Sequence, residues 1–306
     1  MNNEIFKKAF NHTLTDLEIY NITESIRKGH FETISKAHDS IHEFIYLAPL
    51  SVPKNKNLDE KSAFLKVYLF EIFYTAHNSF LMALMGFYNN SYILLRTTVE
   101  LLIKGAFWEC LAHKKFRDKS KILEENKVKI GKLKKTILDW LNEIIQQKPS
   151  IEKEIEKTSA AIFDKIFPIP EDPHLKKLVP LPKTCIYQLN EWGIFNPIPN
   201  AKDRIYNFYS ELSADIHIVP DKTDVGRRLR SQKDLYQVKV ILDELNRYVK
   251  QLQKTIDILI VVELNILHNW IIQDKKIQNN LKERLKFLEN LYLPFAYKKL
   301  SSLVGK

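Results

Sequence analysis

The sequence predicts an all-α fold, and three observations carry that expectation. Glycine is scarce, with 7 in 306 residues, about 2% against a usual share of roughly 7%. Apolar residues recur at three- and four-residue spacing through most of the chain, the period of an amphipathic helix. Seven of the twelve prolines (Pro168, Pro170, Pro173, Pro180, Pro182, Pro197 and Pro199) fall between Phe167 and Pro199, which leaves the remainder free to be helical. With 45% hydrophobic residues the chain can bury a full core, as a multi-helix bundle of seven to nine long helices joined in part by a Pro-rich crossover.

The first helix is expected from Thr15, where Thr15-Asp16-Leu17-Glu18 has capping-box spacing, to about Ala48, ended by Ser51-Val52-Pro53. A second runs from about Asp59 to Tyr88. Asn89-Asn90-Ser91 is expected to break it, with Ser91 as N-cap of a third helix from Tyr92 to Lys115. These two apolar helices and their tight turn read as an antiparallel hairpin at the heart of the fold. Arg117 to Gln147 is expected to be a basic helix with Ile137, Trp140, Leu141 and Ile144 on one face, followed by a short helix over Ile151 to Ile166. Within the Pro-rich crossover a short helix is placed around Thr184 to Trp192, and another helix from Asp203 to His217. After a loop over Ile218 to Ser231 comes the longest helix, where Val238, Leu242, Leu245, Val249, Leu252, Ile256 and Leu259 alternate by four and three. Glu263 stands where the next apolar residue is due, so the packing partner is expected to change there. A helix over Lys276 to Tyr292 closes the chain. The domain reading is a long N-terminal helix in 1–58, a helical core in 59–275 carrying a basic insertion at 117–166 and the crossover at 167–199, and a C-terminal helix in 276–306, all one compact unit.

Composition then excludes function classes. No two glycines lie closer than 19 residues, so the clustered glycines of a Walker or Rossmann phosphate loop are absent, and no nucleotide cofactor is expected. The net charge is +10, from 47 basic and 37 acidic residues, which favours polyanionic partners. Between Lys114 and Lys135 ten basic residues face Asp118, Glu124 and Glu125, a surplus of seven; Lys127, Lys129, Lys132, Lys134 and Lys135 are the densest part. Two cysteines, Cys110 and Cys185, suggest a reducing compartment. The opening MNNEIFKKAF lacks the apolar run of a signal peptide, and Ile256 to Leu267 is too short and too interrupted to span a bilayer. The expectation is a cytoplasmic protein with no membrane partner.

His38-Asp39-Ser40-Ile41-His42 puts two imidazoles on one helix face, but no third ligand is apparent and no metal is assigned to it. Cys110 lies in an apolar helix, where a structural thiol is expected. Two other patterns carry more weight. In Leu94-Leu95-Arg96-Thr97-Thr98-Val99-Glu100, Arg96 and Glu100 are four apart and can pair on one face of an apolar helix. In Tyr209-Ser210-Glu211-Leu212-Ser213-Ala214-Asp215-Ile216-His217, the spacing places Tyr209, Ser213 and His217 in one stripe. Gly226-Arg227-Arg228-Leu229-Arg230 follows, three arginines that could bind phosphate beside the imidazole.

Leu-Leu-Arg-x-x-x-Glu followed about a hundred residues later by Tyr-x-x-Leu-Ser-x-x-x-His resembles a family of uncharacterised helical proteins similar to the HEPN superfamily. The resemblance rests on Arg96, Glu100, Tyr209, Leu212, Ser213 and His217. It implies a protein acting on or bound to nucleic acid; active HEPN ribonucleases carry an Arg, four to six residues, then a His, and cut RNA without metal where two copies meet. None of the nine histidines here follows an arginine at that distance, the nearest being Arg27 before His30. A catalytic His217 would therefore take its arginine from Arg96 or from Arg227, Arg228 and Arg230.

Three readings follow. In the first the chain is a metal-independent ribonuclease, a toxin or phage-defence effector, with His217 as general acid or base, Arg96 beside Glu100 or the loop of Arg227, Arg228 and Arg230 stabilising phosphate charge, and Ser213 and Tyr209 orienting the imidazole. In the second it is a non-catalytic RNA- or DNA-binding module using Lys114 to Lys135. In the third it is a helical scaffold that forms a homodimer, or holds a partner protein, through the helix at 234–267.

Overall fold

The structure is a computed structural model that describes residues 30–53, 68–112, 181–216 and 241–305. Among them are nine helices and no strand: α1 (Phe31–Leu50), α2 (Leu69–Leu84), α3 (Tyr88–Ala112), α4 (Pro182–Glu191), α5 (Ala201–Ile216), α6 (Leu242–Ile266), α7 (His268–Gln273), α8 (Lys275–Asn290) and α9 (Pro294–Val304). No helix among the described residues is long and apolar enough to cross a membrane.

The α2–α3 hairpin forms as the apolar periodicity demands, but its turn lies earlier than Asn89-Asn90-Ser91. The chain turns at Met85-Gly86-Phe87. Gly86 takes the left-handed conformation (φ 80°), the Gly86 N–H bonds the Ala83 carbonyl at 3.0 Å, and the Phe87 N–H bonds the Met82 carbonyl at 2.9 Å. That is a Schellman ending, which needs a residue without Cβ strain at this position. Ser91, expected as a cap, is instead fully buried inside α3, where its carbonyl accepts from Ser79 Oγ at 2.7 Å. The Ser79 proton is thereby committed, so Tyr248 on α6 donates to Ser79 (2.7 Å), a buried polar link joining α2, α3 and α6.

α6 is the central post. It packs on α1, α2, α3 and α9, and every residue from Thr255 to Leu264 is buried. The heptad seam of the sequence is its inner face: Leu245, Val249, Leu252, Ile256 and Leu259 are buried, whereas Leu242 at the first turn is exposed. From Leu245 to Leu259 the seam packs inside the chain, and Val238 lies outside the described residues. α4 and α5 pack on α3, and α8 lies on α1 and α9.

The expected closing helix, Lys276 to Tyr292, forms as α8, and α9 follows it as a further element. Asp274 caps α8, accepting from the Lys276 and Ile277 N–H groups at 2.8 and 3.3 Å. Pro294 starts α9 as a separate helix in the position where its missing N–H costs nothing. Asp257 of α6 accepts from the N–H groups of Phe295 and Ala296 at 3.2 and 2.7 Å, tying the first turn of α9 to the central post. Arg284 of α8 pairs with the buried Glu43 of α1 through both carboxylate oxygens.

Candidate functional site

The two sequence motifs meet. Arg96 and Glu100 project from successive turns of α3, and Tyr209 reaches them from α5, which packs alongside. The Tyr209 hydroxyl donates to Glu100 Oε1 at 2.5 Å and accepts from Arg96 Nη2 at 2.9 Å and Nε at 3.3 Å. Arg96 Nη2 also stands 3.1 Å from Glu100 Oε1, and Lys104 Nζ lies 4.0 Å from Glu100 Oε2. The guanidinium carbon sits 5.2 Å from the centre of the Tyr209 ring. Arg96 and Glu100 side chains are each 26% exposed, so the network is neither sealed in the core nor free in solvent. Burial and the hydrogen bond to Glu100 together hold the Tyr209 phenol above its ordinary pKa. For Arg96, desolvation is outweighed by Tyr209 and Glu100, and its affinity for the proton rises further. At neutral pH this is a neutral phenol shared between a fixed cation and a carboxylate.

Ser213 stands one turn beyond Tyr209 on α5. Its Oγ donates to the Tyr209 carbonyl at 2.8 Å, one turn back along its own helix. His217 lies outside the described residues, as do Arg227, Arg228, Arg230 and the basic stretch containing Lys127, Lys129, Lys132, Lys134 and Lys135.

A second constellation brings together residues that sequence spacing alone left incomplete. His38 and His42, four apart on α1, are joined by His77 from α2, and one ligand-type atom from each lies within 4.8 Å of the others. The ring centroids stand 4.4 Å (His38–His42), 5.8 Å (His38–His77) and 5.9 Å (His42–His77) apart, a near-triangle. All three are partly exposed. Burial first, then the neighbouring imidazoles, depresses the pKa of His42 and His77, which favours the neutral, lone-pair-bearing ring. His77 gave no signal of its own because it stands alone in an apolar segment, 35 residues beyond His42; only the packing of α2 on α1 brings it in.

No family model, no curated protein and no solved structure matches the chain. The resemblance to HEPN proteins thus stands on the two motifs alone, and the chemistry has to be read from Arg96, Glu100, Tyr209 and the three imidazoles themselves.

Proposed function

We propose that the chain is a HEPN-like, nucleic-acid-associated protein and that the face around Arg96, Glu100 and Tyr209 belongs to its site of action on RNA. One observation carries the reading. Two motifs 109 residues apart, Arg96 to Glu100 and Tyr209 onward, converge through a shared and partly exposed hydrogen-bond network. The Arg96 side chain is 26% exposed, so a phosphate can approach its guanidinium. His217 continues the Tyr209 and Ser213 spacing by one further helical turn in the sequence, and is the group assigned to proton transfer. The basic run from Lys114 to Lys135 supplies non-specific attraction for a polyanion. Because the seam from Leu245 to Leu259 is buried in the chain, self-association of the kind HEPN cleavage implies would use another surface.

The experiment is cleavage of end-labelled RNA by wild-type protein and His217→Ala with EDTA present. Chelator-resistant cutting in the wild type, lost in the variant, is the expected result. Intact RNA with both folded proteins overturns the ribonuclease reading. A non-catalytic module is favoured by the engagement of Arg96 with Glu100, which neutralises the charge a catalytic arginine would offer. In that case RNA binding persists without cutting and weakens steeply with salt.

A further inference from the structure

We propose that His38, His42 and His77 form a binding site for a divalent first-row transition metal, zinc above all, that pins α1 to the α2–α3 hairpin. The site is independent of the RNA-directed reading above. Its geometry is that of an open three-imidazole centre. Two ligands at i and i+4 share one face of α1, and the third comes from a packed neighbour. Nitrogens bound to one tetrahedral zinc stand about 3.4 Å apart, as follows from Zn–N bonds of about 2.0–2.1 Å. From the 4.8 Å bound seen here, closure asks for roughly 1.4 Å at most, which partly exposed imidazoles reach by small side-chain rotations.

The surroundings are those of a ligand set held for use. The Asp39 carboxylate lies 3.4 Å from His38 Nδ1 and in turn accepts from Ser35 Oγ at 3.4 Å. A carboxylate on Nδ1 leaves Nε2 as the metal-facing atom, the outer-shell arrangement common to metal-bound histidines. Phe73 meets the His42 ring edge-to-face at 5.5 Å, and Phe80 lies 6.3 Å from His38. These rings limit imidazole orientation without offering a competing donor. Glu43, the nearest carboxylate in sequence to His42, is held by Arg284 and so is not a fourth ligand. Neutral imidazoles with no carboxylate in the first set select zinc, copper, nickel or cobalt and disfavour magnesium and calcium, which want oxygen. Three protein ligands facing solvent leave the fourth position to water.

The test is titration of the chelator-stripped full chain with Zn2+ in competition with a chromophoric chelator, and with Co2+ followed by visible ligand-field absorption. Expected are one equivalent of Zn2+ per chain, a four-coordinate Co2+ spectrum, and a loss of affinity of at least roughly 100-fold in His77→Ala, beyond the roughly 10–100-fold that removing an outer partner costs. Asp39→Asn should lose about tenfold, and His268→Ala should bind as the wild type does. If His77→Ala fails to give the wild-type circular dichroism, His38→Gln serves, since that side chain is 44% exposed. Equal binding by wild type and both ligand variants, or no competition with the chelator at all, overturns the site.

Discussion

Tyr209 donates to Glu100 at 2.5 Å while accepting from Arg96 at 2.9 Å, so deleting its hydroxyl leaves two groups of opposite charge with a direct contact of 3.1 Å but without their common bridge. Hydrogen bonds to charged groups contribute about 1.5–3 kcal/mol when well buried, and partial exposure here brings the expected cost of Tyr209→Phe down to about 1 kcal/mol. Urea denaturation checks it. A midpoint unchanged from wild type would mean that the Tyr209 hydroxyl adds nothing to the fold. The same variant discriminates in the RNA assay. Loss of cleavage with near-normal stability places Tyr209 in the chemistry or in the positioning of Arg96, whereas parallel losses make it a structural link between α3 and α5.

Along the elements, what the sequence made legible was periodicity, and what it hid was anything decided by a neighbour. The short helix expected around Thr184 to Trp192 appears as Pro182–Glu191, and the heptad residues from Leu245 to Leu259 are buried as their spacing requires. Ser91 looked like a cap because serine at a break usually is one; the deciding residue was Gly86, whose left-handed turn places Ser91 one turn inside α3. Arg96 and Glu100 were readable as a pair at i and i+4, but the spacing could not say that Tyr209 would bridge them. His77 and α9 were missed for the same reason, since their roles come from α1 and from Asp257 on α6. Helix contact also makes Gly105 irreplaceable. A Cβ there would lie 2.6 Å from Cγ and 2.8 Å from Cβ of the buried Tyr68. Both are near the backbone end of the ring and cannot swing away. Gly105→Ala is therefore expected to destabilise by about 1–3 kcal/mol, the usual cost of overpacking, despite alanine's better helix propensity. A thermal midpoint equal to or above that of wild type would show that Tyr68 and the start of α2 yield freely.

Taken as a whole, the molecule buries carboxylates on its central post, and this sets an unusual sign for its response to pH. Asp257 is pushed up to about 6 by burial, which outweighs the two N–H donors of α9 and the nearby Arg204. Glu263 is fully buried, neither of its oxygens has a hydrogen-bond partner among the described residues, and desolvation together with Glu43 raises it well above the ordinary carboxylate range. Both groups hold a proton more tightly folded than unfolded. Over the window between their unfolded and folded pKa values the native state binds more protons, so the contribution of these two groups to stability is full below about pH 4 and falls as pH rises. For Asp257 that window runs from 3.8 to about 6. A shift of about two units corresponds to roughly 3 kcal/mol as a ceiling, at about 1.4 kcal/mol per unit. In Asp257→Asn the ionisation is gone, while the amide nitrogen cannot accept and one of the two bonds to α9 is lost. The variant should therefore start less stable at pH 4 by about 1 kcal/mol and gain on the wild type as pH rises to 6.5. The slope of the difference, measured by chemical denaturation at several pH values, is the diagnostic. A difference that stays constant across the window would mean that Asp257 ionises in the folded protein as easily as in water. The tie between α6 and α9 would then be that of an ordinary charged cap, with the first turn of α9 open to solvent.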